Sequence, residues 1–353
     1  MPAFRGPDWN DSGTGLAPSS GPAPARPKAH APTPYLAPRW LPGGQLQTVV
    51  PALISRPNGT AATLRRERWP TPDGDFVDVD WLVSPVPADA PLLVLFHGLE
   101  GSSHSHYSRA VLAACTRAGW KCAVPHFRGC SGDDNLASSA YHAGDFPEID
   151  WMLQRFAAGH AGPLYAAGVS LGGNALLRWA QEQGESAAQR VRAVAAISAP
   201  LDLAAGGRAI ATGLSYQLYT RMFLRTLKPK ALRMIAHHPG LADAQRVRAA
   251  RDLGAFDDAF TAPIHGFLDA ADYWARASSK PHLKRLRLPT LILNARNDPF
   301  QPGHVLPGPR DVSSSVLLEQ PANGGHVGFA QGGLPGHLDW LPQRLLHFFT
   351  HGN

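Results

Sequence analysis

The sequence predicts an α/β protein whose mainly parallel sheet is covered by helices on both faces. Short apolar runs of strand length alternate with longer segments of helical character, which is the pattern of parallel strands joined by helical crossovers. The crossovers are expected to be right-handed. The length of 353 residues suits one such domain with an insertion, and the apolar content is ordinary for a globular protein.

The N-terminal residues differ in composition from the rest of the chain. Residues 1–34 are dense in Pro, Ala, Gly and Ser and show no periodicity, so they cannot bury a core and we expect a disordered tail. The fold is expected to start near Tyr35, and residues 35–203 are predicted to form the first part of the core.

Within residues 35–203, strands and helices are predicted from apolar runs and turn signals. The predicted strands are residues 64–69, 76–83, 91–96, 121–125, 164–167 and 191–197. The first two flank Asp73-Gly74, which is typical of a hairpin. The predicted helices are residues 107–118, 145–157 and 174–180.

The alternation of strands and helices stops after residue 203. Residues 204–283 contain helical stretches rich in Ala, Leu, Arg and Met and no convincing strand, so we expect a helical cap insertion there. Such a cap excludes water from a site and shapes its pocket. The second part of the core is predicted over residues 284–353, with strands at 289–295 and 315–319.

The segment Gly168-Val169-Ser170-Leu171-Gly172 carries the strongest chemical signal. A G-x-S-x-G sequence between a strand and a helix is typical of a nucleophile elbow, in which a strained turn exposes the serine hydroxyl. Small neighbours are needed because strand and helix approach closely there. Glycine-rich helix starts also bind phosphate, which is the alternative for the pentapeptide by itself.

A serine nucleophile needs a base and an orienting acid, which should follow it in the order acid, then histidine. Asp298 and His326 each lie in the loop into which a predicted strand leads, and we predict them as the acid and the base. Asp202 also follows a strand, although it opens the next segment like a helix N-cap. His304 and His337 are the histidines nearest to His326 in the sequence.

Two backbone N–H groups are expected to form an oxyanion hole. One belongs to Leu171, directly after the serine, and the other to Leu99, in the loop after the strand at 91–96. Gly98 would let this loop turn inward, and His97 is predicted to pack the loop. Two such donors together lower a barrier by several kcal/mol.

These features together resemble the YheT-like branch of the α/β-hydrolase superfamily, which is related to ABHD-type esterases and lipases. The matching segments are residues 43–48, 97–101, 127–132, 141–145, 168–174, 297–300 and 325–329. The resemblance covers the chain from about residue 36 to about residue 345. The segment Gly43-Gly44-Gln45-Leu46-Gln47-Thr48 marks the branch, with Gln45 where His or a similar residue is usual. The resemblance implies the α/β-hydrolase fold, a serine hydrolase acting on carboxylic esters, and no cofactor.

The expected activity is ester cleavage by a Ser-His-Asp triad through an acyl-enzyme, on short- to medium-chain acyl esters or monoacylglycerol-like lipids. The same triad could serve an acyltransferase or a thioesterase. Some relatives carry an H-x-x-x-x-D pattern that begins at the catalytic histidine, but Gln331 stands at its last position here. His238 and Asp243 have that spacing within the cap. A catalytically weak ligand-binding protein of the same fold is a further alternative.

Composition excludes several other classes of function. The net charge of +6 comes from dispersed arginines with no basic tract interleaved with aromatics, so no nucleic-acid partner is expected. Histidine pairs lack carboxylate or cysteine partners at a ligand spacing, so no metal site is expected. Three cysteines without paired spacing, no apolar signal segment and no run of ~18 apolar residues predict a cytoplasmic protein.

One cap segment, residues 221–230, is both apolar and basic. It predicts either a weak peripheral contact with a membrane or a cap helix that packs on the core with its basic face in solvent. The sequence does not determine the oligomeric state.

Overall fold

A computed structural model of the chain describes residues 34–57 and 62–352. The tail predicted over residues 1–34 lies outside the described residues except for its last position. The described residues contain an eight-stranded sheet with the strand order β1-β2-β4-β3-β5-β6-β7-β8. Its strands are β1 (Leu64–Pro70), β2 (Phe76–Leu82), β3 (Leu92–Phe96), β4 (Lys121–Pro125), β5 (Leu164–Val169), β6 (Val194–Ile197), β7 (Thr290–Leu293) and β8 (Val316–Glu319).

The sheet is parallel except at one edge. Strands β3 to β8 pair in parallel, whereas β1 and β2 form an antiparallel hairpin that joins the sheet through β4. The α/β class and the mainly parallel sheet are therefore confirmed. Each predicted strand is present, although the strand predicted over 191–197 begins only at Val194.

Helices cover both faces of the sheet. Alternate residues of β3 enter different cores: Leu92 and Val94 lie in one cluster, and Leu93 and Leu95 lie in the other. The helices of the described residues are α1 (Gly43–Leu53), α2 (His106–Ala118), α3 (Phe146–Ala158), α4 (Leu171–Gln183), α5 (Leu203–Ile210), α6 (Gly213–Ser215), α7 (Arg221–His237), α8 (Ala244–Ala249), α9 (Leu253–Phe256), α10 (Ala262–His265), α11 (Ala270–Ala277) and α12 (Trp340–His351). Helices α3 and α4 contribute to the first core, and α2 and α12 to the second.

Helices α5 to α11 all lie between β6 and β7, and no strand interrupts this fully described stretch. Two turns of π-helix, Tyr216–Thr220 and Asp257–Thr261, lie within it. The stretch has an apolar cluster of its own, which includes Leu224, Val247 and Phe260.

The helix α1 was not among the predicted elements. It begins at Gly43, which has a φ of 75°, and it contains Pro51. Its buried residues, Gln47, Thr48 and Pro51, are mostly polar, so hydrophobic periodicity gave no signal for it.

No helix among the described residues is long and apolar enough to cross a membrane.

A buried ionic network joins the hairpin to two loops of the parallel sheet. The Asp80 carboxylate on β2 accepts hydrogen bonds from the Arg66 guanidinium at 2.7 and 2.9 Å and from the Ser103 hydroxyl at 2.6 Å. His126 Nε2 lies 2.8 Å from the same carboxylate. Burial by itself would raise the pKa of Asp80, but the bonds from Arg66, His126 and Ser103 hold it well below its ordinary value.

We predict that Asp80→Asn lowers the free energy of unfolding by about 3 kcal/mol at neutral pH, because one partner of a buried network is lost. The folded pKa of Asp80 is below its unfolded value, so this contribution is complete at neutral pH and declines as the pH falls below about 4. Urea unfolding at several pH values measures it. Asp133→Asn, which removes an exposed partner of Arg68, should cost less than about 1 kcal/mol. Equal losses for both variants would contradict the prediction.

Candidate active site

Ser170 occupies a strained turn between β5 and α4. Its φ of 51° and ψ of −121° lie in a region that residues with a side chain rarely adopt. The predicted helix at 174–180 begins earlier, at Leu171, directly after the serine. The turn therefore directs the half-buried Ser170 side chain away from the strand and toward the edge of the sheet.

The glycines around Ser170 are required by close backbone contacts. A Cβ atom on Gly172 would lie 2.4 Å from the His97 carbonyl oxygen, and one on Gly168 would lie 2.4 Å from the Gly172 carbonyl oxygen. Both distances are far inside van der Waals contact, so β5, α4 and the loop after β3 pack here without side chains between them.

The three residues predicted as nucleophile, base and acid are connected by two hydrogen-bond contacts. His326 Nε2 lies 2.9 Å from Ser170 Oγ, and His326 Nδ1 lies 2.9 Å from Asp298 Oδ2. Asp298 and His326 are both buried, and the second carboxylate oxygen of Asp298 accepts the Phe300 backbone N–H at 2.7 Å. Such an arrangement can carry a proton from the serine hydroxyl to the imidazole, with the carboxylate orienting the ring.

Phe300 also contacts the imidazole directly. Its ring stacks on that of His326, with ring centroids 3.9 Å apart and an interplanar angle of 9°. The contact covers one face of the imidazole and restricts its rotation.

The structure places the alternative acid and bases elsewhere. The Asp202 side chain caps α5 by accepting the Ala205 backbone N–H at 2.9 Å, as an N-cap residue does. His304 is exposed on a short 3₁₀ turn, and His337 lies 3.1 Å from the Asp339 carboxylate. Among the described residues, none of the three forms a hydrogen bond or an ion pair with Ser170 or His326.

The two expected oxyanion donors flank the serine. A Cβ atom on Gly98 would lie 3.1 Å from Ser170 Cβ, so the loop that carries Leu99 is adjacent to the nucleophile. Among the bonds within residues 34–57 and 62–352, neither the Leu99 nor the Leu171 backbone N–H has an acceptor. Both groups can therefore donate to an oxygen atom bound beside Ser170.

Side chains from several elements hold the loop that carries Leu99. The Glu100 N–H donates to Tyr141 Oη, which in turn donates to the Glu100 carboxylate, both at 2.9 Å. Lys230 of α7 forms an ion pair with the same carboxylate at 2.8 Å. His97 Nδ1 lies 2.8 Å from the Gly98 carbonyl, and His97 Nε2 accepts the N–H of Phe127. Burial lowers the pKa of His97 to about 3, so it is a neutral packing residue, as expected.

Ser170 opens into an apolar cavity of about 180 Å³ beneath the helices between β6 and β7. Its apolar lining includes Ile210, Phe223, Leu227, Leu253, Phe256 and Phe260 from those helices. Burial lowers the pKa of His142 to about 4 and that of His265 to about 3, and it raises the pKa of Asp257 to about 7. The two histidines are therefore uncharged near neutral pH, and Asp257 is only partly ionised there, which suits an apolar ligand beside them.

The basic segment 221–230 contributes to this cavity. Phe223 and Leu224 are buried, and Phe223 lines the cavity. Lys228 donates to the Arg248 and Ala250 carbonyls, and Lys230 pairs with Glu100 as described above. The two apolar side chains thus pack internally, and the two lysines are partly exposed but bonded to neighbouring groups.

Backbone strain is concentrated around the site. The described residues other than glycine with a positive φ are Glu100, Ser170, Ser198, Val327 and Phe329. All of them follow strands of the parallel part of the sheet, at the edge where the serine and histidine meet. Such strain persists only where surrounding contacts enforce it, and it is typical of functional sites.

Several residues that contact the triad loops were not predicted individually. They are Gln47, Thr48, Asn297, Phe300 and Ser198. The segment at 43–48 marks the branch in the sequence, but its contacts with the Asp298 and His326 loops join residues more than 200 positions apart and leave no local pattern. Among the described residues, no group of three or more His, Cys, Asp or Glu could hold a metal ion.

Comparisons with known proteins agree with this architecture. A sequence profile described as the alpha/beta hydrolase fold matches residues 91–333. The chain is 40% identical over 313 residues to "Putative esterase YheT" of Escherichia coli (strain K12), covering 86% of this chain and 89% of that protein. It is 27% identical over 318 residues to Phospholipase ABHD3 of Homo sapiens, covering 88% of this chain and 76% of that protein.

A solved structure shows the same fold at low identity. The lip1 protein of Acinetobacter baumannii AYE has a TM-score of 0.51 and 18% identity, covering 87% of this chain and 94% of that chain. At this level of identity the likeness concerns the fold alone.

Proposed function

The chain belongs to the α/β-hydrolase family, and from this premise we propose that it is a serine hydrolase that cleaves carboxylic esters. The observation that carries the proposal is the continuous contact from Asp298 through His326 to Ser170 at the wall of an apolar cavity. The esterase and phospholipase names of two relatives support ester chemistry.

In the proposed reaction, Ser170 Oγ attacks the ester carbonyl carbon while its proton passes to His326 Nε2. The N–H groups of Leu99 and Leu171 stabilise the negative oxygen of the tetrahedral intermediate. The C–O bond to the alcohol then breaks, and His326 returns the proton to the departing alkoxide. Water repeats the sequence on the acyl-serine, releasing the carboxylic acid and regenerating the hydroxyl. Asp298 orients the imidazole and stabilises its positive charge throughout.

The apolar lining of the cavity supports the proposal that it binds the acyl group of the ester. Its lining is mostly aliphatic and aromatic, and its volume of about 180 Å³ is small compared with pockets for drug-sized ligands, which are roughly 300–1,000 Å³. We therefore propose short- to medium-chain acyl esters, or monoacylglycerol-like lipids, as substrates. The helices between β6 and β7 act in this proposal as the cap that excludes water.

We predict that Ser170→Ala abolishes both hydrolysis of p-nitrophenyl butyrate and labelling by a fluorophosphonate, because the attacking oxygen is removed. Circular dichroism should show an intact fold. Ser186→Ala is a matched control. Ser186 lies just beyond α4, and its hydroxyl donates to the carbonyl and side-chain oxygens of Gln183. Labelling that persists in folded Ser170→Ala would refute the assignment, and a wild type that neither hydrolyses nor labels would favour a ligand-binding protein.

The acid is tested by a pair of matched substitutions. Asp298→Asn should lower kcat by roughly 10³- to 10⁴-fold, because the amide no longer holds the productive imidazole tautomer. Asp202→Asn should leave kcat nearly unchanged, since asparagine also caps a helix. Steady-state kinetics on one soluble ester decide the point. The opposite ranking would move the acid to the loop after β6.

We further propose a weak peripheral contact between the cap and anionic membranes. The outward side of the stretch from α6 to α7 exposes Leu214, Leu218 and Met222 beside the exposed Arg221 and Arg225. In such a contact the apolar side chains would enter the boundary between headgroups and acyl chains, and the arginines would face the anionic headgroups.

Co-sedimentation with phosphatidylserine-containing vesicles tests this contact. The double variant Leu214→Gln with Met222→Gln should bind at least about fivefold more weakly, because two side chains lose apolar burial. Hydrolysis of soluble p-nitrophenyl butyrate should not change, and high salt should weaken wild-type binding. Val83→Gln alters another exposed aliphatic residue and is the control. Equal binding by the double variant and the wild type would exclude the contact.

A further inference from the structure

The hydroxyl of Thr48, on the first turns of α1, contacts the backbone of the candidate base. Thr48 Oγ1 accepts the backbone N–H of His326 at 2.8 Å and donates to the Gly44 carbonyl at 2.7 Å. Thr48 and His326 are both buried, so water does not replace this bond. The position of the His326 backbone therefore depends on a hydroxyl that lies 278 residues earlier in the chain.

The side chain of Gln47 connects the acid loop to the histidine loop. Its Oε1 accepts the Gly324 backbone N–H at 2.8 Å and the Asn297 side-chain amide at 2.9 Å, and its Nε2 donates to the Leu41 carbonyl at 2.8 Å. Asn297 Oδ1 in turn accepts the Gly325 N–H at 3.0 Å. One buried amide thus fixes the residue before Asp298 and the segment before His326 to each other.

Glycines allow α1 to approach both loops. A Cβ atom on Gly44 would lie 1.9 Å from the Asn297 carbonyl oxygen, and one on Gly328 would lie 1.7 Å from the Gln47 carbonyl oxygen. Backbone packs directly on backbone at both places, which leaves the loops little room to shift relative to α1.

A second path from α1 reaches the imidazole through the cap. Gln45 Oε1 accepts the Tyr219 hydroxyl at 2.5 Å, and its Nε2 donates to Ser215 Oγ at 2.9 Å. The Tyr219 ring contacts that of Phe300, with centroids 4.5 Å apart, and Phe300 stacks on His326. The start of α1 therefore contacts the backbone of His326 directly and is connected to its ring face indirectly, through Tyr219 and Phe300.

We infer that Gln47 and Thr48 are positioning residues that set the His326 imidazole against Asp298 and Ser170, an inference that rests on the proposed ester hydrolysis. The histidine loop is strained at Val327 and Phe329, which have positive φ angles, and such strain persists where surrounding contacts enforce it. Neither Gln47 nor Thr48 lines the cavity, so they act through His326 and not on the substrate. A misplacement of about 1 Å in such a site costs about 100-fold in rate.

Thr48→Val removes the hydroxyl at nearly constant volume and is the main test. Its kcat for p-nitrophenyl butyrate and its rate of inactivation by a fluorophosphonate should both fall roughly 10- to 100-fold, with KM within about twofold of wild type. Thr48→Ser, which keeps the hydroxyl, should restore most of both rates. Gln47→Met, which keeps the length but loses three hydrogen bonds, should lower kcat at least as much.

Thr116→Val is the matched control. The Thr116 hydroxyl donates to the Leu112 carbonyl at 3.1 Å, four residues earlier in α2, just as Thr48 donates to Gly44. This variant should keep wild-type kinetics. A folded Thr48→Val with wild-type kcat and inactivation rate, or with a change in KM alone, would overturn the inference. Loss of the fold in both Thr48→Val and Gln47→Met, with Thr116→Val intact, would also overturn it, because the two residues would then serve stability.

Proton NMR separates this inference from the proposed function. The imidazole N–H bound to Asp298 should give a low-field resonance in wild type and in Thr48→Ser, and that resonance should be broadened or lost in Thr48→Val. A wild type without esterase activity or labelling would refute the proposed function alone, and the resonance would still report on positioning. An unchanged resonance in Thr48→Val would refute the positioning role, whatever the activity.

Discussion

Parallel pairing of β3 to β8 is the constraint on which the rest of this structure depends. In a parallel sheet all strands end at the same edge, so the loops after β3, β5, β7 and β8 meet there. These loops carry Leu99, Ser170, Asp298 and His326. Ser170 and His326, 156 positions apart, come within 2.9 Å of each other because β5 and β8 belong to the same parallel sheet and end at the same edge. The parallel strands thus fix the relative positions of the loops, and the loops carry the side chains and N–H groups of the candidate site.

The loops at this edge are strained and need support from outside the sheet. On one side, Asp80 of the hairpin bonds Ser103 and His126, which follow β3 and β4. On another side, α1 contacts the loops that carry Asp298 and His326. The loops around the candidate site, several of which contain positive φ angles, are therefore held by buried hydrogen bonds from elements that carry none of the three candidate triad residues.

The helices between β6 and β7 are attached to the site at specific points. Lys230 of α7 pairs with Glu100 beside the predicted oxyanion donor, and Tyr219 bonds Gln45 of α1. A movement of these helices would therefore alter contacts with both the oxyanion loop and the histidine loop. The same few side chains therefore connect the shape of the cavity to the positions of the Leu99 loop and the His326 loop.

The sequence by itself determined the fold class, the strands and the three candidate triad residues, because each depends on a local pattern: an apolar run followed by a glycine-rich or polar loop. It also favoured Asp298 over Asp202 as the candidate acid, since an N-cap is a local feature as well. Only the tertiary structure decided the contacts of Gln47 and Thr48 and the stacking of Phe300 on His326. Hydrogen bonds between residues 277 and 278 positions apart have no periodicity that a sequence could display, because they arise only after the sheet has brought those loops together.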